Sequence, residues 1–149
     1  MEGIMASYYN FNVTPFTWHK MNKYFIIEND FLISMDDKVN CYTFKIKKGA
    51  MTDGGSIPKA FSWFAKGWSD DYRYNACFLL HDALYGSEIV HRDIADDMLR
   101  SSLRDCGLSR FKASTICWCV NTFAEGHYGI MNDNLDIREY IELVAVTEL

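Results

Sequence analysis

Residues 69–106 read SDDYRYNACFLLHDALYGSEIVHRDIADDMLRSSLRDC, and their pattern predicts two helices. An apolar stripe at helical spacing runs through its first half, and it comprises Tyr74, Cys77, Phe78, His81 and Tyr85. We expect Ser69 to cap this helix and Gly86 to end it, because hydroxyls suit the first position and glycine suits the last. A second helix is predicted from about His91 to Cys106.

The two helices are expected to form a hairpin, because residues 86–90 alone connect them and a short connection makes neighbouring helices antiparallel. The second helix turns an apolar face inward, made of Ile94, Ala95, Met98 and Leu99. Asp96 lies at the edge of that face, so it is the acid best placed to reach His81. Asp82 is rotated by about 100° from His81 around the first helix. The sequence therefore predicts His81 and Asp82 on one helix and Asp96 close by on the next.

The residues before the hairpin are predicted to form strands. Short apolar runs separated by turn residues fill the chain up to about residue 50. Residues 39–47 alternate in polarity, with Tyr42, Phe44 and Ile46 on one face. This alternation is typical of a half-buried antiparallel strand.

After the hairpin we expect one more helix, which Ser109 caps and which ends by Gly126. Residues 140–146 are apolar and fit either a strand or a helix. The predicted class is α+β, with N-terminal antiparallel strands followed by a helical hairpin and a third helix. Because the chain contains no linker-like stretch, we expect a single domain across residues 1–149.

The composition is that of an ordinary globular protein. It argues against nucleic-acid-binding and membrane-spanning proteins. The 149 residues are 49% hydrophobic and 23% charged, and the formal net charge is −5. A negative chain offers no broad basic surface, so nucleic-acid binding is not expected. The N-terminus lacks a basic stretch followed by an apolar run, and no window of about 18 uncharged apolar residues occurs. We therefore expect no signal peptide, no transmembrane segment, and a protein of the cytosol or of a particle.

The cysteines are expected to be reduced and mostly buried thiols. There are five of them, namely Cys41, Cys77, Cys106, Cys117 and Cys119. The count is odd and no C-x-x-C pair occurs, which argues against a disulfide framework and a zinc knuckle. A reducing compartment follows from this usage.

A contact between His81 and Asp96 is expected to create a base. A carboxylate bonded to one imidazole nitrogen fixes the tautomer and raises the basicity of the other nitrogen, which can then take a proton from water. Tyr85 lies one turn beyond His81 on the same side of the helix. The candidate catalytic residues are therefore His81, Asp96 and Tyr85.

A divalent cation fits beside this base. Asp82 is not needed to contact His81, so its carboxylate can bind a hard cation such as Ca²⁺, which accepts backbone carbonyls as well as carboxylates as ligands. A double-glycine segment with its own acid precedes the hairpin and can complete such a site. The candidate metal ligands are Asp82, Asp53, Gly54 and Gly55, with Arg92 and Ser56 as supporting polar residues.

The same residues also fit a role without catalysis. A buried histidine bonded to one aspartate is more often structural than catalytic, and Arg92 can pair with Asp82 or Asp96 to complete a buried polar network. An exposed aromatic patch then binds a partner, and it is expected to comprise Trp18, Trp63 and Trp68. Solvent access distinguishes the two roles, because an enzyme needs His81 at the foot of an open cleft.

Three motifs in order resemble the family called domain of unknown function 1353. They are TDGGSIP at residues 52–58, LHDALY at residues 80–85, and RxxAD at residues 92–96. The resemblance covers most of the chain. It implies an origin in tailed phages or prophages, and hence a location in the host cytoplasm or the phage particle, but it implies no particular reaction.

A shorter segment is similar to phospholipase A2, most of all to the type found in parvovirus capsid proteins. The shared pattern is HDxxY, followed on the next helix by AD and an apolar residue three positions later. This resemblance implies that His81 is the general base, that Asp82 binds Ca²⁺, and that Asp96 orients the histidine. It also implies that Tyr85 supports the pair and that the double-glycine segment gives carbonyls to the cation.

Two functions remain open from the sequence. The first is a phage-encoded hydrolase of an ester or acyl bond, which acts on a small-molecule or lipid substrate with a divalent cation. The second is a non-enzymatic virion or tail component, or an inhibitor of a host factor, which binds a phage or host protein.

Overall fold

The computed structural model describes residues 8–22, 24–52, 69–124 and 139–148, and of residues 120–124 it describes the backbone alone. Several predicted site and patch residues lie outside the described residues, namely Asp53, Gly54, Gly55, Ser56, Trp63 and Trp68.

Strands precede helices along the described chain, and one strand follows them. The strands are β1 (Asn10–Val13), β2 (Trp18–Met21), β3 (Tyr24–Ile27), β4 (Phe31–Asp36), β5 (Asn40–Ile46), β6 (Met51–Thr52) and β7 (Ile141–Glu148). The helices are α1 (Tyr72–Ser87), α2 (Arg92–Asp105) and α3 (Arg110–Ala124). This order confirms the predicted α+β class, with antiparallel strands followed by a helical hairpin and a third helix.

The strands form two antiparallel sheets, ordered β1-β4-β5-β7 and β2-β3-β6. In β5 the predicted alternation is confirmed, because Phe44 and Ile46 are fully buried. Lys45 lies between them and faces outward, where its amino group is 3.6 Å from a carboxylate oxygen of Asp30. The apolar C-terminal piece, which the sequence left as strand or helix, is the strand β7 and pairs with β5.

The start of α1 differs from the prediction that Ser69 caps it. Asp71 is the N-cap, and its carboxylate accepts hydrogen bonds from the backbone amides of Arg73 and Tyr74. The Ser69 hydroxyl instead accepts from the amide of Asp71, one step before the helix. The run of one serine and two aspartates offers three side chains able to cap, and residue type alone does not decide among them.

The end of α1 also differs from the prediction. Gly86 remains inside the helix, and Glu88 takes the left-handed conformation at φ 58°. The amide of Glu88 donates to the Leu84 carbonyl at 3.0 Å, which closes the last turn two residues later than expected. A glycine marks where a helix is able to end, whereas the hydrogen bonds of the last turn determine where it does end.

The hairpin of α1 and α2 is fixed to the first strand by polar contacts. The backbone amide of Tyr9 donates to the Ser101 hydroxyl at 3.0 Å, and that of Phe11 donates to a carboxylate oxygen of Asp105 at 2.7 Å. From α1, the Arg73 guanidinium donates to the Phe11 carbonyl at 3.3 Å. The sheet and both helices therefore share one core.

The predicted third helix is confirmed. Ser109 caps it, because its hydroxyl accepts from the backbone amide of Lys112 at 3.2 Å. Ala113 and Ile116 are buried on its inner face, as the spacing predicts. Among the described residues, none of the helices combines the length and the apolar character that crossing a bilayer requires.

Candidate active site

His81 and Asp96 meet across the helical hairpin. His81 belongs to α1 and Asp96 to α2, and Nε2 of the imidazole is 2.9 Å from Oδ1 of the carboxylate. Both residues are buried, with exposed fractions of 3% for His81 and 8% for Asp96. The spacing of the two sequence motifs therefore predicted the correct acid.

Tyr85 joins the pair from α1, one turn beyond His81. Its hydroxyl donates to the same Oδ1 atom of Asp96 at 2.7 Å, and its ring lies against the imidazole with centroids 4.2 Å apart. Burial raises the pKa of the Tyr85 hydroxyl, and the hydrogen bond to Asp96 raises it further. Tyr85 therefore keeps its proton at neutral pH and acts as a fixed donor.

Arg92 stands at the start of α2 and is half-buried. Its positive charge lowers the pKa of Tyr85, against the larger effects of burial and Asp96. Arg92 therefore lies close enough to act electrostatically on Tyr85, and its supporting role in the site stays a prediction.

Cys117 is a residue of this site that the sequence analysis missed. It lies on α3, and its thiol donates to the backbone carbonyl of Asp96 at 3.4 Å. Burial raises the pKa of Cys117 to about 12, and the negative charge of Asp96 adds to the rise. Its helical spacing from Ala113, four residues earlier on the inner face, was the available signal.

The hydrogen bond between His81 and Asp96 favours one tautomer of a neutral imidazole. An ionised carboxylate only accepts hydrogen bonds, so Nε2 of His81 carries the proton that is shared with Asp96. The second nitrogen, Nδ1, then holds a lone pair. Within the described part of the chain, no protein group forms a hydrogen bond with Nδ1. Such an atom can accept a proton from water.

Asp82 lies on a different face of α1 from His81 and is exposed. The hydroxyl of Thr52, at the end of β6, donates to Oδ2 of Asp82 at 3.4 Å. Thr52 is also the last described residue before Asp53 in the chain. The structure therefore brings Asp82 to the strand that leads into the predicted double-glycine segment.

The predicted metal site is only partly covered by the structure. In the ranges that the structure describes, no group of three or more histidine, cysteine, aspartate or glutamate side chains is arranged to hold a metal ion. Asp53, Gly54, Gly55 and Ser56 lie outside those ranges. A calcium site at Asp82 stays a prediction.

The family model described as "Protein of unknown function (DUF1353)" matches residues 25–120. The chain belongs to this family. The match spans β3 to α3 and therefore includes all the residues that meet at Asp96. No curated protein and no solved structure is significantly similar to the chain. Membership of DUF1353 confirms the family resemblance seen in the three motifs, and the family description gives no activity.

Proposed function

We propose that this DUF1353 protein is a phage-encoded hydrolase in which His81 is the general base and Asp96 its orienting partner. The observation that carries the proposal is the convergence of His81 Nε2 and the Tyr85 hydroxyl on one oxygen of Asp96. Two donors on the same oxygen stabilise the carboxylate in its charged form. That charge in turn stabilises the imidazolium that forms when Nδ1 takes a proton.

The reaction proposed is hydrolysis of an ester or acyl bond. A water held at Nδ1 of His81 gives its proton to the imidazole while its oxygen attacks the carbonyl carbon. The bond between that carbon and the ester oxygen then breaks, and the imidazolium returns the proton to the departing alcohol. Tyr85 and Asp96 hold the ring in place during this transfer. The substrate class is a small ester or a lipid, in keeping with the local resemblance of the HDxxY and AD motifs to phospholipase A2.

A divalent cation has a place in this proposal beside the base. Asp82 follows His81 directly, is exposed, and contacts the strand end from which the chain enters the Asp53 segment. We propose Ca²⁺ as the cation, because exposed carboxylate and carbonyl oxygens suit a hard ion. Asp82 would hold the ion there, and a bound divalent cation would supply Lewis-acid polarisation of the substrate carbonyl.

The second candidate is a non-enzymatic phage protein, either a virion or tail component or an inhibitor of a host factor. The burial of His81, at 3% exposure, favours this candidate, because a structural network is expected to be sealed. Two aromatic side chains on α3, Phe111 and Trp118, are 75% and 59% exposed and would suit contact with a partner. Of the predicted aromatic patch, Trp18 is half-buried and packs 5.5 Å from Phe16 between ring centroids.

The test compares ester hydrolysis by the wild type and three variants. Substrates are p-nitrophenyl esters of increasing acyl length and mixed phosphatidylcholine–phosphatidylglycerol vesicles, each with Ca²⁺ and with a chelator. Two of the variants, His81→Gln and Asp96→Asn, change the proposed base and its partner. The matched control is Asp93→Asn, an exposed acid on the same helix α2. Near-ultraviolet circular dichroism checks that each variant is folded.

We expect His81→Gln and Asp96→Asn each to lower kcat/KM by roughly 100-fold or more, since a positioned base contributes about 10²–10⁴. Asp93→Asn should keep wild-type activity. If every substrate is left intact by the wild type, or if folded His81→Gln hydrolyses at the wild-type rate, the hydrolase proposal is wrong and the structural candidate replaces it.

A further inference from the structure

Two cysteine thiols from different helices face each other at the base of the hairpin. Cys77 is buried in α1, and Cys106 is the half-buried residue that caps the end of α2. Their sulfur atoms are 3.7 Å apart, although the residues are 29 positions apart in the chain. The two sulfurs are in van der Waals contact and share a hydrogen bond.

We propose that Cys77 and Cys106 form a peroxide-reactive dithiol, which a hydroperoxide oxidises to a disulfide between α1 and the end of α2. A disulfide needs the sulfurs at about 2.05 Å. The sulfur of Cys106 can move to close the gap, because Cys106 follows the last residue of α2 and is only half-buried. A rotation of its side chain is therefore less restricted than one of Cys77 inside the core.

The two thiols lie in different surroundings, which shift their pKa values in opposite directions. The contact with the Cys77 thiol lowers the pKa of the Cys106 thiol, and the positive charge of Arg73 lowers it further, against the opposing effect of burial. Burial, by contrast, raises the pKa of Cys77 well above its usual range. Cys106 is therefore the thiol that becomes a nucleophilic thiolate and meets the oxidant, and Cys77 is the protonated thiol that resolves the product.

The reaction balances with one hydroperoxide per pair. The Cys106 thiolate attacks an oxygen of the peroxide, the O–O bond breaks, and the leaving oxygen takes a proton from solvent to become water or an alcohol. Cys106 now carries a sulfenic acid. The Cys77 sulfur then attacks the Cys106 sulfur, the S–O bond breaks, and the departing hydroxide combines with the Cys77 proton to form water. Two thiols are oxidised by two electrons, and the peroxide is reduced.

The remaining cysteines lack this arrangement. Hydrogen bonding to Asp36 raises the pKa of Cys41, and burial raises the pKa of both Cys117 and Cys119. Among the described residues, no other two cysteine thiols are hydrogen-bonded to each other. Cys41, which is also half-buried, provides the matched control for Cys106.

The test treats the full chain with a few equivalents of hydrogen peroxide and then alkylates the free thiols after denaturation. Mass spectrometry of the intact chain and of its peptides counts the thiols and locates any bond. Wild type and Cys41→Ser should each lose two thiols to a Cys77–Cys106 linkage. The bond closes a loop of about 30 residues, so we expect the melting temperature to rise by roughly 5 °C or more on oxidation.

Cys106→Ser should lose the linkage and the temperature shift while keeping the fold, and Cys77→Ala tests the partner if Cys77→Ser does not fold. A wild type in which Cys106 ends as sulfinic acid, stays reduced, or links to another cysteine would overturn the proposal. These readouts need no enzymatic activity, so their outcome is independent of the proposed hydrolase function.

Discussion

Two side chains of α1 meet on one oxygen of Asp96, because His81 and Tyr85 lie one helical turn apart on the same face. The sequence could predict this contact, because helical periodicity puts both residues on one face and a short connection folds Asp96 against it. It could not predict Cys117, because the angle at which α3 crosses α2 is set by packing between the helices. The thiol of Cys117 reaches Asp96 only through that packing.

The hydrogen bond from Tyr85 gives a first prediction at the residue scale. Tyr85→Phe keeps the ring and removes the hydroxyl that donates to Asp96 at 2.7 Å. A buried hydrogen bond to a charged group contributes about 1.5–3 kcal/mol, so we expect the free energy of unfolding to fall by about 2 kcal/mol. Urea denaturation followed by circular dichroism measures the change. An unchanged midpoint would mean that the hydroxyl contributes nothing to the stability of the site.

Asp82 gives a second prediction at the same scale. If Asp82 binds Ca²⁺ as proposed, the ion at 100 times its dissociation constant should stabilise the fold by about 2.7 kcal/mol. Thermal melting with Ca²⁺ and with chelator measures this shift. Asp82→Asn should abolish it, and Asp93→Asn, another exposed aspartate, should retain it. A shift that survives Asp82→Asn would assign the ion to another site.

At the scale of elements, the ends of the helices show how accurately local sequence signals predict where a helix begins and ends. For α2 the prediction of about His91 to Cys106 is confirmed, since His91 and Cys106 are its two caps. For α1 both predicted ends are wrong by two residues, because Asp71 is the N-cap in place of Ser69 and Glu88 is the C-cap in place of Gly86. Capping preferences differ by only about 1 kcal/mol, so neighbouring candidates are easily exchanged.

Glu88 gives a prediction at the element scale. It takes φ 58°, a conformation that costs a residue with a side chain about 1 kcal/mol or more but costs glycine little. Glu88→Gly should therefore raise the free energy of unfolding by roughly 0.5–1 kcal/mol. Ser87→Gly, one residue earlier and still helical, should lower it by a similar amount. Chemical denaturation of the two variants compares them, and a loss of stability in Glu88→Gly would contradict the assigned cap.

At the scale of the whole molecule, the sequence could not predict which strands pair with each other in the two sheets. Alternation in residues 39–47 predicts a strand with one buried face, but the same pattern is compatible with many partner strands. β1 pairs with β4, and β7 pairs with β5 from the far end of the chain. Such pairings depend on contacts between distant residues, which periodicity does not encode.

Tyr74 couples the stability of the whole molecule to alkaline pH. Burial raises its pKa from 10.0 to about 12. Between these values the unfolded chain releases the proton while the folded chain keeps it, so stability is full below pH 10 and falls as the pH rises toward 12. The loss should be no more than about 2 kcal/mol after screening by solvent.

Tyr74→Phe isolates this effect. The difference in unfolding free energy between the wild type and Tyr74→Phe should be constant from pH 7 to 9. It should shrink above pH 10, because only the wild type has a Tyr74 hydroxyl that ionises more easily in the unfolded chain. Urea titrations across that pH range measure it. Parallel pH profiles for the two proteins would show that another group controls the alkaline loss.

The tautomer of His81 is the most direct test of the proposed base. Nitrogen-15 NMR of the histidine ring distinguishes a protonated nitrogen from one with a lone pair, and comparison with His81→Gln assigns the signals. We predict a proton on Nε2, facing Asp96, and a lone pair on Nδ1 at neutral pH, with this preference lost in Asp96→Asn. A proton on Nδ1, with Nε2 accepting from the carboxyl group, would contradict the assignment of His81 as a base oriented by Asp96.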